Sequence, residues 1–108
     1  MFGLFGRSAQ GASKLETVNG RGTLCNNGVE FPCVIRKASA QTLIVTLDRG
    51  RSLSGATIVV DHKRGLAFDA TIGSSKGQEL TLDVSRSHDL RGLVPARLSR
   101  ARDLWKRS

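Results

Sequence analysis

Apolar and polar residues alternate along most of this chain. Val29, Phe31, Cys33 and Ile35 fall on one side of an extended segment, with Glu30, Pro32, Val34 and Arg36 on the other. Leu43, Val45 and Leu47 alternate with Thr42, Ile44 and Thr46, and Ile58 and Val60 lie in the short run 57–61. Leu66, Phe68, Ala70 and Ile72 alternate with Ala67, Asp69 and Thr71, then Leu80, Leu82 and Val84 with Glu79, Thr81 and Asp83. A period of two is that of a strand with one face inward and the other toward water. Residues 20–25 form a weaker strand that pairs with the next across Asn27-Gly28. That dipeptide suits a type I′ hairpin, in which both central residues take positive φ.

The breaks carry turn residues: Asp48-Arg49-Gly50, Ser54-Gly55, Lys63-Arg64-Gly65 and the stretch 74–77. Six short strands at near-regular spacing predict a mainly β fold, a small six-stranded antiparallel barrel. Pro32 has no backbone N–H to donate and is expected at an edge or a bulge. Near the end the period changes. Pro95 suits a first helical turn, and Leu98, Ala101, Leu104 and Trp105 follow at helical spacing. A C-terminal helix is predicted there, laying its apolar stripe on the barrel while Arg97, Arg100 and Arg107 face solvent. The expected division is a flexible arm over 1–18, a barrel over 19–85, and a basic linker with the helix over 86–108. Within the arm, Phe2-Gly3-Leu4-Phe5 reads as a frayed terminus or a docking tag.

Composition adds a sign to this picture. In 108 residues there are 17 Lys and Arg against 9 Asp and Glu, a net charge of +8. The stretch 86–108 holds seven basic residues and two acids, so it carries +5 of that +8. Such a field concentrates nucleotides, nucleic acid, anionic lipid or an acidic protein surface. No apolar run approaches the roughly 18 residues of a membrane span, and Met1 to Phe5 is too short for a secretory core. Cys25 and Cys33 flank the Asn27-Gly28 turn; in a two-residue hairpin Cys25 faces Glu30 and Cys33 faces Gly22, so the thiols point to opposite sides. Both are expected to be reduced, which fits a cytoplasmic protein.

Catalytic and cofactor signatures are missing. There is no GxxxxGK(S/T) loop, and Gly20-Arg21-Gly22 fails as GxGxxG because Cys25 stands where the third glycine belongs. Cys25, Cys33, His62 and His88 lack paired metal-ligand spacing, so no metal or cofactor is expected. Ser87-His88-Asp89 spells a triad, but sequence neighbours cannot adopt triad geometry, and it reads as a turn. His62 reads as a solvated turn residue. What remains is arginine, whose fork grips phosphate with two parallel hydrogen bonds and stacks on purines. Arg36-Lys37, Arg49 and Arg51, and the C-terminal arginines are the candidates.

The stretch 33–47, with Arg36-Lys37-Ala38-Ser39-Ala40-Gln41-Thr42 at its centre, resembles a segment of PilZ domains. There a strand runs into a turn with an acidic or amide residue, a serine two positions on and a glycine three beyond that. The resemblance spans roughly 19–84, with the last helix as a looser match. It implies a PilZ-like barrel, and PilZ domains are bacterial receptors for cyclic di-GMP that often act on flagellar motors, polysaccharide synthesis or pili. Ser39 stands where the family has its serine, whereas Lys37 replaces the acidic or amide residue and Thr42 the glycine. The family's RxxxR before the first strand is absent; Arg7 and Lys14 are the only basic residues there. The resemblance therefore implies a small cytoplasmic signalling or adaptor protein whose cyclic di-GMP site is modified or lost. On this reading Arg36, Lys37 and Ser39 form the ligand site, with Arg97 and Arg100 as clamps. The alternatives are a basic small-barrel nucleic-acid-binding protein and a pure protein-interaction module. An enzyme is the least favoured class, since no acid–base or nucleophile constellation emerges.

Overall fold

A computed structural model describes residues 14–107. Six strands follow one another: β1 (Glu16–Asn26), β2 (Val29–Ala38), β3 (Thr42–Leu47), β4 (Gly55–Asp61), β5 (Leu66–Lys76) and β6 (Glu79–Asp89). All pair antiparallel, in the ring order β1-β2-β3-β6-β5-β4, and β4 pairs back to β1 to close the barrel. A 3-10 turn (Ala96–Leu98) then leads into a helix, α1 (Ser99–Arg107).

The first predicted hairpin turn is where the sequence put it, with the expected backbone. Asn27 and Gly28 have φ of 51° and 77°, the two positive values a type I′ hairpin needs. The register pairs Cys25 with Glu30 and Gly22 with Cys33. Cys33 is buried, Cys25 is half-buried on the other face, and both are free thiols. Pro32 pairs with Thr23 of β1 but lies one residue beyond where β3 begins to pair with β2. Its missing N–H therefore costs no bond to β3.

The inward faces fill the barrel. Leu24, Ile35, Leu43, Val45, Val59, Leu80 and Leu82 are fully buried there, with Cys33, Leu47, Phe68 and Ala70 beside them. β4 is different, because Val59 enters this core while the next residue, Val60, enters a second one. That second core forms where the C-terminal segment lies on the outside of β4 and β5. It holds Val60, Ala67, Leu90, Leu98 and Ala101, with Ile58, Leu104 and Trp105 packed against it. The predicted apolar stripe does dock on the barrel. Burying a leucine such as Leu98 contributes about 2 kcal/mol.

Three boundaries differ from expectation. β1 starts at Glu16, not at residue 20, so the arm ends before 18; its segment 1–13 lies outside the described residues. A bulge between Thr17 and Gly20, with Asn19 at φ 49°, breaks the period of two there and hid the strand. β6 runs to Asp89, so 86–89 are strand, not linker; Ser87 and His88 pair with Phe68 and Ala67 of β5. The β5–β6 hairpin also reaches further, since Lys76 pairs with Glu79 across Gly77 and the stretch 74–76 is strand.

Candidate anion-binding face

The five candidate ligand residues are distributed over separate surfaces. Arg36 and Lys37 are exposed at a bulge of β2, where its register with β3 shifts. Arg36 donates from Nε to Thr46 Oγ1 at 3.2 Å and from Nη1 to Asn19 Oδ1 at 3.4 Å. Ser39 holds the β2–β3 turn: its hydroxyl accepts the amides of Gln41 and Thr42 at 3.2 and 3.0 Å. That hydroxyl is engaged with its own backbone.

Arg97 and Arg100 are exposed, as expected, but each also grips a carboxylate of the barrel. Arg97 donates from both terminal nitrogens to Asp69, at 2.9 and 2.7 Å. Arg100 donates from Nε and Nη2 to Glu30, at 2.6 and 3.0 Å. These are two-bond Arg–carboxylate pairs, the stronger geometry for such contacts. Hydrogen bonds from Arg97 first, helped by His88 Nε2 at 2.9 Å, hold the Asp69 carboxyl down at about 2. Arg100 likewise lowers Glu30. Together with the second apolar core, the two pairs make the C-terminal segment a clasp.

His88 is therefore a strand residue turned to Asp69, and Asp89 binds Arg91, with the carboxylate 2.9 Å from Arg91 Nε. Ser87-His88-Asp89 makes no triad and no turn. His62 is not solvated either. It is half-buried, with Nε2 2.8 Å from Thr23 Oγ1 and Nδ1 buried without a hydrogen-bond partner. Burial above all, and Arg21 next, push its pKa down, which Asp61 opposes. At neutral pH the imidazole is uncharged.

Charge pairing separates the engaged cations from the others. Five of the nine carboxylates are in ion pairs: Glu30, Asp48, Asp61, Asp69 and Asp89, with Arg100, Arg51, Arg64, Arg97 and Arg91. Among the described residues, Arg21, Arg36, Lys37 and Lys63 form no ion pair. Arg21 stands on the outer side of β1, opposite Val34. It lines two depressions: one of about 400 Å³ with Asn19, Gly20, His62 and Lys63, and one of about 470 Å³ with Val34, Arg36 and Thr46. A basic face thus runs from the β4–β5 turn across β1 to β2.

Of this face, sequence reasoning found Arg36 and Lys37 and missed Arg21, Lys63, His62 and Asn19. Period-two alternation already places Arg21 outward, away from Gly22 and Leu24. Nothing local says that β1 closes against β4 and brings Lys63 alongside. The depressions are open, and Phe31 and Phe68 pack with the barrel interior rather than on the face. Among the described residues no group of three His, Cys, Asp or Glu side chains is arranged to hold a metal, and no helix is long and apolar enough to cross a membrane. Compared with known proteins, the chain matches no family model, no curated protein and no solved structure.

Proposed function

We propose that this chain is a small non-catalytic binding barrel, a signalling or adaptor protein of the cytoplasm, that takes a phosphate-bearing ligand on the basic face of β1 and β2. One observation carries the reading: Arg21 joins two depressions whose cations, Arg36 and Lys63 included, form no ion pair among the described residues, while Asp48 at the second depression is paired with Arg51. Unpaired guanidinium groups at neighbouring positions on a rigid strand surface suit a diester with more than one phosphate. The PilZ resemblance makes cyclic di-GMP the first candidate. Its site would be a modified one, centred on Arg21, Arg36 and Lys37, because Arg97 and Arg100 already hold Asp69 and Glu30.

The test is calorimetric titration with cyclic di-GMP, with GTP as control, on the protein and on Arg21→Ala. Selective binding that weakens tenfold or more in the variant supports the reading. Absence of heat at near-millimolar ligand removes the receptor version. A second reading, binding of single-stranded nucleic acid, draws on the length of the face, which spans a turn and two strands. Affinity falling steeply with salt would favour it. The scarcity of outward aromatic rings for base stacking weighs against it.

A further inference from the structure

We propose that the β4–β5 turn, residues 62–65, couples the basic face to the C-terminal clasp, so that an anion on the face alters how firmly the clasp is held. The proposal rests on the reading of that face as an anion site and adds its regulation. The two ends of the turn serve two different places. His62 and Lys63 line the depression they share with Arg21. Two residues later Gly65 lies under the indole of Trp105, so closely that a Cβ there would come within 3.1 Å of Cε2 and Cζ2.

Between these ends the backbone is tied at several points. Asp61 Oδ1 accepts the amides of Lys63 and Arg64, each at 3.0 Å. The Gly65 amide donates to the Asp61 carbonyl at 2.9 Å, and the Gly65 carbonyl accepts the Leu90 amide at 2.8 Å. A turn braced in this way shifts as a unit. A displacement at Lys63 therefore reaches the surface on which Trp105 rests.

The clasp is an element with two states. Its helix has nine residues and no acidic residue in its first turn. Helices this short do not persist unless something holds them. Docked and frayed forms are two discrete arrangements, and the turn biases the balance between them. An anion bridging Lys63 and Arg21 fixes one position of the turn, while Trp105 requires a position of its own. By linkage, each occupant then changes the affinity of the other by the same factor.

Trp105 is the single tryptophan, so its emission reports the clasp directly. The experiment titrates the full chain with cyclic di-GMP, and separately with oligothymidylate, following heat and emission and then amide exchange of residues 99–107. Coupling predicts that heat and emission saturate together and that exchange in 99–107 changes about fivefold, the low end of usual coupling strengths. Trp105→Leu, which takes the indole off the turn, then shifts ligand affinity by a similar factor. Heat with unaltered emission and exchange overturns the coupling and leaves the anion reading standing. Absence of heat with either probe overturns the anion reading instead. In that event Lys63→Ala decides the coupling without ligand: altered exchange in 99–107 supports it, and unaltered exchange overturns it.

Discussion

Gly22 shows how much rests on a missing methyl group. A Cβ on Gly22 would lie 2.7 Å from the Val60 carbonyl oxygen, at the seam where β1 meets β4. That oxygen is backbone and does not yield, and the Ile35 and Cys33 side chains stand within 3.1 and 3.2 Å of the same point. Gly22→Ala is expected to destabilise the barrel by about 1–3 kcal/mol, as overpacking does, read as a lower urea midpoint. Asp61 is the counterpart among charged residues. It is fully buried, and its carboxylate accepts two turn amides and Arg64 Nε at 2.6 Å. Asp61→Ala leaves those amides unsatisfied and is expected to cost about 3 kcal/mol in the same measurement. Neither role was legible from neighbouring residues. Gly22 drew notice as the partner of Cys33 and as part of a failed nucleotide loop, and Asp61 as the end of a strand; their close approaches depend on which strands become neighbours when the ring closes.

Among elements, the clasp has the clearest pH dependence. The Asp69 carboxyl titrates at about 2 when held by Arg97 and His88, below its ordinary 3.8. A carboxyl with a depressed folded pKa stabilises the folded form above its unfolded pKa, and that contribution is lost as pH falls through the folded value. Clasp docking is therefore expected to be complete above about 4 and to weaken from 3.8 down to about 2. Trp105 emission should move over that window, and Asp69→Asn should produce the moved emission already at neutral pH, with far-ultraviolet strand signal retained. The helix itself was readable, because Leu98, Ala101, Leu104 and Trp105 announce one apolar side at helical spacing. The destination of its arginines was not. Arg97 and Asp69 are separated by 28 positions and Arg100 and Glu30 by 70, and no local pattern links residues so far apart.

For the whole molecule, the strands and the ring were largely legible, since period-two alternation marks the inward residues of β2, β3, β5 and β6 and Asn27-Gly28 fixes the first register, whereas in β4 it singled out Ile58 and Val60 although Val59 is the one that enters the barrel core. The basic face was only half legible, because Lys63 meets Arg21 through closure of the ring. Its size sets an expectation for salt. If the bound partner is a nucleic acid, replacing Arg21, Arg36 and Lys63 together by alanine should reduce the slope of log affinity against log salt by about 2–3, roughly one per lost phosphate contact. A loss of affinity with unchanged slope would place the phosphate contacts elsewhere.

Closure of the ring has one more consequence. Each strand is flanked by two others, so among the described residues no strand is left unpaired along a whole side, although β6 runs to Asp89 while β3 pairs with it only from Thr46–Glu79 to Thr42–Asp83. The seam between β1 and β4 is the short one, holding four registered pairs from Gly22–Asp61 to Cys25–Ile58. Opening it would bare an edge of β1 and an edge of β4, with its β-branched run Thr57 to Val60, at once, and a chain damaged at Gly22 should be lost to fibrous aggregates sooner than a chain damaged equally anywhere else in the ring.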